Sequence, residues 1–231
     1  GSDRLERRWH HLLADVAMKL EGLTVLDLSL FLPGPAATQM MADHGARIIK
    51  VENPRAPEPT RSADAFPWQQ GDETVMFRNT QRGKESIALD LKTDPGKRAL
   101  LALAKTVDVV VEAFRPGVAA RLGIDYATLS KDNPGLVYCS ISAFGQTGPW
   151  CDRPAHDTAT VAAAGVLDVT RSPEGHAGPA IIGVPIADML ASNLALSGIL
   201  MALLRRQTTG QGDFVDISMF ESVLAASPNI M

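Results

Sequence analysis

Asp108-Val109-Val110-Val111-Glu112 is the stretch that most narrows what this chain can become. A strand with one face in water alternates apolar and polar residues, whereas an unbroken β-branched run needs cover on both faces. Such strands sit in parallel sheets whose crossover helices lie on either side. The flanking sequence has the same rhythm. Residues 24–29 and 47–52 read as short strands around a helix opened by Gly34-Pro35, which passes Met40, Met41 and His44 and closes at Gly45. Residues 86–91 and 136–142 read as further strands, and a helix starts near Asp94-Pro95, where proline suits the first turn. Short helices are expected over 116–122 and 126–131, a last strand from Asp213 to Ile217, and a helix begun near Phe220. This alternation predicts an α/β fold: a Rossmann-like parallel sheet covered by helices, with its chemistry in the loops at the strand C-termini.

Other segments fit around that frame. Leu5, Trp9, Leu12, Leu13 and Val16 recur at helical spacing, so residues 1–19 are expected to form an amphipathic helix ahead of a main domain over 20–231. Gly1-Ser2 reads as a cloning remnant. Residues 53–78, with three prolines early on, read as a long loop of the kind that is usually functional or mobile. After a polar turn over 171–178, a helix from about Ile186 to Arg206 carries so few polar residues that it is expected to be buried nearly all round. Its most apolar part, 194–204, is too short to span a bilayer.

Composition removes several function classes. A net charge of −4 is not the footprint of a nucleic-acid-binding protein, so a polyanionic ligand must meet a local group of Lys and Arg. Two cysteines, Cys139 and Cys151, make no disulfide framework and match no zinc pattern; reduced thiols in a cytoplasmic protein are expected. The five histidines (His10, His11, His44, His156, His176) are scattered, and no metal site is expected. No signal peptide or membrane segment is read. Leu32-Pro33-Gly34-Pro35 follows the first strand where a dinucleotide fingerprint would stand, and neither a P-loop nor a Gly-x-Ser-x-Gly elbow occurs.

The chemistry-bearing candidate is Asp157, in Arg153-Pro154-Ala155-His156-Asp157-Thr158-Ala159-Thr160. A proline and a small residue precede it and a small-residue run follows, which places Asp157 at the mouth of a helix. There free N–H groups and the helix dipole stabilise a carboxylate, and a plain N-cap is the simplest reading.

That stretch, the run Gly183-Val184-Pro185-Ile186-Ala187-Asp188 and the run from Thr209-Gly210-Gln211-Gly212 to Ser218 together resemble the family III (CaiB/BaiF type) CoA-transferases. The resemblance extends from about Leu20 to the end of the chain. It implies that Asp157 is a nucleophile and that coenzyme A lies across the strand C-termini. It also implies CoA contacts for Lys84 in Arg82-Gly83-Lys84-Glu85-Ser86, for Phe114 after the buried strand, and for Arg121 in Ala119-Ala120-Arg121-Leu122-Gly123. Arg153 joins them as a cofactor-binding candidate. For Lys84 and Arg121 the competing reading is a solvated charge, and for Phe114 it is core packing. Ala113 stands where the family often has Asn, and Leu30 and Phe31 stand where many members have a polar or basic residue. These departures suggest a more apolar acyl pocket, with Phe31 and Leu32 as possible walls.

The resemblance implies transfer of CoA between an acyl-CoA and a small carboxylic acid through an aspartyl intermediate. A related branch, the α-methylacyl-CoA racemases, offers a second reading in which His156 and Asp188 exchange a proton across an enolate. A third is a truncated domain that binds CoA or a partner without turnover, because the family's later small domain and glycine-rich loop have no counterpart in these residues. A homodimer or a complementing chain is the expected partner.

Overall fold

The computed structural model describes residues 18–62, 68–170 and 178–228. The expected helix over 1–19 and the polar turn over 171–178 fall almost wholly outside the described residues.

In chain order the elements are β1 (Thr24–Asp27), α1 (Pro33–Asp43), β2 (Arg47–Glu52), a 3-10 turn (Pro59–Arg61), β3 (Gln69–Gln70) and β4 (Glu73–Thr74). Then come α2 (Val75–Gln81), β5 (Lys84–Ala88), α3 (Asp94–Ala104), β6 (Val109–Glu112), α4 (Val118–Leu122), α5 (Tyr126–Leu129) and β7 (Val137–Ser142). The chain continues through α6 (Asp157–Ala163), α7 (Val166–Val169), α8 (Ile186–Thr209), β8 (Asp213–Ser218) and α9 (Met219–Ala225). Six strands form one parallel sheet in the order β5-β2-β1-β6-β7-β8. From β1 the chain winds outward to β2 and β5, then returns to lay β6, β7 and β8 on the other side. The reversal falls between β1 and β6, and in such sheets the crevice at that point, outside the strand C-termini, takes the ligand.

Successive residues of the strands feed two separate cores. Val25, Ile48, Val109, Val111, Val137 and Cys139 face one side, where α1 and α8 pack. Leu26, Ile49, Val110 and Tyr138 face the other, with Leu100 and Ala104 of α3 and Leu129 of α5. Both faces are covered, which is why the β-branched run at 109–111 has no polar alternation. On its inner side α8 presents Ala187, Ala191, Ala195, Ile199 and Ala202, all buried; the small side chains let it lie close to α1 and the sheet. Gly212 permits β8 to join the edge, because a Cβ there would stand 1.9 Å from the Leu136 carbonyl oxygen.

The structure corrects three expectations. The third strand in the sheet half begins at Lys84 and ends at Ala88, earlier than 86–91, because its register against β2 pairs Ile48 with Lys84 and Glu52 with Ala88. Residues 53–78 are not one loop: they hold the 3-10 turn, the β3–β4 pair and the start of α2. Finally, α8 is not buried all round. Leu194, Leu200, Met201 and Leu204 are exposed along one side, because the sheet and α1 occupy only the face lined by small residues.

Candidate functional site

The turn between β1 and α1 lies at the topological switch point and rests on a buried charged cluster. Asp27 is fully buried and accepts from the Ser29 N–H (3.0 Å), the Thr38 hydroxyl (2.7 Å) and Lys84 Nζ (3.0 Å). Lys50, also buried, lies 3.8 Å from Asp27 and 3.2 Å from Glu58 Oε2, and donates to the Ser29 carbonyl. Burial alone would raise the Asp27 carboxyl, but Lys50, Lys84 and the two hydroxyls hold it far below the usual carboxylate range. For Lys84 the balance goes the other way, since burial pulls its ammonium down against the attraction of Asp27. The charged pair is nonetheless the state that fits the geometry. Nζ donates to Asp27, to the Pro35 carbonyl (2.9 Å) and to Gln81 Oε1 (3.1 Å), which satisfies all three ammonium protons. Lys84 thus ties the start of β5 to Asp27 and to the first turn of α1.

Above the cluster the backbone takes an uncommon course. Phe31 has φ +63°, a left-handed conformation that costs a bulky residue about 1–3 kcal/mol. Its N–H donates to Glu58 Oε1 at 3.0 Å, and the Pro33 carbonyl accepts from Ser192 of α8 at 2.8 Å. Gly34 completes the turn: a Cβ there would lie 2.2 Å from Ser29. The Phe31 ring remains 40% exposed and meets the His156 ring edge-on, centroids 6.1 Å apart.

Asp157 sits beside this turn as the first residue of α6, so His156, not Asp157, is that helix's N-cap. The Asp157 carboxylate instead serves a different helix: Oδ1 accepts the Ala187 N–H at 2.7 Å and the Asp188 N–H at 3.1 Å, both in the first turn of α8. The half-buried carboxylate therefore lies at two positive helix ends, its own and that of a 24-residue helix. No hydrogen bond reaches Oδ2 among the described residues. Asp188 lies alongside, and burial, then the charge of Asp157, push its carboxyl up to about 7. His156 itself is exposed.

The remaining candidates spread along the rim. Phe114 follows β6, is half-buried and packs on the second core, with its N–H donating to Glu112 at 2.6 Å. Arg121 is exposed in α4. Arg153 is exposed and lies over the Trp150 ring, 4.8 Å from its centroid. Thus Asp157, Asp188 and His156 come together, while Lys84 is buried against Asp27, Phe114 packs on the second core, and Arg121 and Arg153 are exposed.

Two features escaped the sequence reading. Arg55, Lys92 and Arg115 are exposed in the loops after β2, β5 and β6, adding cations to the strand C-terminal side; their place just after strand ends was the available signal. Glu112, at the end of β6, is buried, and burial pushes its carboxyl up to about 7 despite hydrogen bonds from Ser140 and the Phe114 N–H, with Asp216 adding repulsion. No local pattern marks it.

The fold is a doubly wound α/β sheet with a half-buried carboxylate seated in two helix N-termini on the strand C-terminal side. Residues 20–231 match the profile of CoA-transferase family III, and the chain belongs to that family. It is 40% identical over 205 residues to the acetyl-CoA:oxalate CoA-transferase of Acetobacter aceti, covering 89% of this chain and 52% of that protein. It is 37% identical to the succinate–glutarate CoA-transferase of Agrobacterium fabrum, covering 91% of this chain and 54% of that one. Among solved structures, a CaiB/BaiF family protein from Brucella suis superposes with a TM-score of 0.86 at 34% identity, over 93% of this chain and 56% of that chain. The chain spans about half the length of the curated relatives it matches.

Proposed function

We propose that this chain carries the nucleophile and much of the CoA-binding rim of an enzyme that moves CoA from an acyl-CoA donor to a carboxylic acid. Asp157 Oδ2 attacks the thioester carbonyl; a C–O bond forms, the C–S bond breaks, and a mixed anhydride and the CoA thiolate result. The thiolate attacks the aspartyl carbonyl, giving an aspartyl-CoA thioester and releasing the donor acid. The acceptor carboxylate then repeats the exchange in reverse order. A carboxylate is a weak nucleophile, and N–H groups at a helix terminus can stabilise the oxyanion that develops during its attack. The observation that carries the reading is the Asp157 carboxylate held by α8 through Oδ1, with no hydrogen bond to Oδ2 among the described residues. Exposed Arg55, Lys92, Arg115 and Arg121 suit the phosphates of CoA, and Phe114 suits its apolar arm.

Full-length protein incubated with an acyl-CoA and then hydroxylamine should yield a hydroxamate at Asp157 by peptide mass spectrometry. Labelling elsewhere, or none, refutes the covalent route.

One observation favours the racemase reading: a carboxyl at Asp188 that titrates near neutral pH can both give and take a proton, with His156 as the other base. Deuterium uptake at the α-carbon of a 2-methylacyl-CoA without any acceptor acid would select it, whereas transfer with no exchange selects the transferase.

A homodimer and residence in the cytoplasm belong to the same proposal. The exposed Leu194, Leu200, Met201 and Leu204 of α8 support a second copy as cover, and the free Cys139 and Cys151 suit a reducing compartment. Sedimentation that shows only monomer at micromolar concentration rejects the dimer.

A further inference from the structure

Among the described residues Phe31 is the sole non-glycine residue with a positive φ, at 63°. A bulky side chain keeps that conformation only where its surroundings over-determine it. Here they do so from two sides. Glu58, 1% exposed, accepts the Phe31 N–H through Oε1 and is tied through Oε2 to Lys50, which donates to the carbonyl of Ser29 two residues before Phe31. Thr60 braces the same Glu58 oxygen through its N–H (3.3 Å) and hydroxyl (3.0 Å). From the opposite side Ser192 holds the Pro33 carbonyl. Since Ser192 belongs to the helix whose first turn binds Asp157, the aromatic turn and the carboxylate are registered on one rigid element. Glycine would make this turn without strain, but it would leave no ring against His156.

We infer that Phe31 selects the acyl group: its ring is the apolar wall beside Asp157, and Glu58 is the positioning residue that keeps it there. The inference rests on the assignment of Asp157 as the nucleophile. A ring 40% exposed and edge-on to the exposed His156, the residue before that carboxylate, gains most from an acyl chain with apolar carbons beyond the second. The substrate class is therefore a short alkyl or aryl acyl thioester in preference to acetyl.

Phe31→Gly keeps the turn and its N–H and removes only the ring. In the full-length chain it should lower the ratio of kcat/KM for butyryl-CoA over acetyl-CoA roughly tenfold, the scale of one or two lost methylene contacts, without lowering the melting temperature. Glu58→Ala should shift the ratio in the same direction, and in the Phe31→Gly background it should shift it no further, because glycine needs no lock. Glu58→Gln retains an acceptor oxygen for the Phe31 N–H but loses the Lys50 ion pair, and should shift the ratio less than Glu58→Ala. A purely structural role would depress both substrates equally. A ratio within twofold of wild type in folded Phe31→Gly overturns the assignment of Phe31, whether or not Glu58→Ala folds. Additive losses in the double variant overturn the role of Glu58. Hydroxylamine labelling of the wild type separates the two levels: a labelled Asp157 with an unchanged ratio sinks this inference alone, and an unlabelled Asp157 sinks both.

Discussion

The Asp157 carboxylate accepts the Ala187 N–H at 2.7 Å, joining positions thirty residues apart. One oxygen of the first residue of α6 is thus spent on the first turn of α8. The contact engages Oδ1 and leaves Oδ2 without a hydrogen bond among the described residues, and the nucleophilic role proposed for Oδ2 can be tested.

Asp157→Asn keeps an acceptor oxygen for the α8 N–H groups but cannot form an anhydride. It should fold with wild-type thermal stability and lose CoA transfer altogether. Asp157→Ala loses the anchor as well and should cost about 0.5–2 kcal/mol, the usual price of a removed cap. Paired melting and transfer assays distinguish the variants; measurable transfer by Asp157→Asn after purification away from wild type would contradict the mechanism.

Asp188 links stability to pH. Its carboxyl is raised to about 7, first by burial and then by the charge of Asp157. The fold therefore holds a proton that the unfolded chain releases near pH 4, so the contribution is complete below that and declines as pH climbs to about 7. Asp188→Asn should flatten the fall between pH 5 and pH 8 by up to about 2 kcal/mol. In Asp157→Asn the Asp188 midpoint should drop, read by carboxyl-carbon NMR. A midpoint that stays put would mean burial acts alone.

Glu112 makes a similar prediction on the opposite core. Burial raises it to about 7, and Asp216 adds to the rise. Its neutral form is the one favoured by folding, so stability declines from about pH 4.5 to pH 7. Glu112→Gln should remove up to about 2 kcal/mol of that decline in urea titrations at pH 5 and pH 8. An unchanged pH dependence would show that Glu112 is ionised in the fold.

Lys84 and Arg121 should separate in their effects. Lys84→Met leaves Asp27 buried with Lys50 alone and should cost about 3–5 kcal/mol, a melting-temperature loss on the order of 10 °C. Its effect on CoA affinity in the folded state should be small. Arg121→Ala, at an exposed site, should leave melting unchanged and weaken CoA several-fold, less so in high salt. The reverse pattern in calorimetry would restore Lys84 as a ligand contact and remove Arg121.

Much of the architecture was legible because it rests on local periodicity. The run at 109–111, the proline at the start of α3 and the glycine after α8 each announce an element through short-range sterics or the need to cover an apolar face. Asp157 was legible as a helix-mouth residue for the same reason. Less legible was β5, which starts two residues before its apolar stretch because pairing with β2, not hydropathy, sets its ends. The outer face of α8 was misread because composition shows how apolar a helix is, not how much neighbouring structure is there to cover it.

By itself the sequence determined the doubly covered parallel sheet, its family and the carboxylate at a helix mouth. Those follow from patterns a few residues long, or from motifs in a fixed order. Only the tertiary structure decided which helix Asp157 serves, that the Lys84 ammonium is buried against Asp27, that Glu58 holds Phe31 in a left-handed turn, and that burial pushes the Asp188 and Glu112 carboxyls up to about 7. Each of those depends on distances between residues 27 to 57 positions apart in the chain, or on the burial that packing imposes. Burial and Coulomb interaction act through space, and no local pattern encodes them.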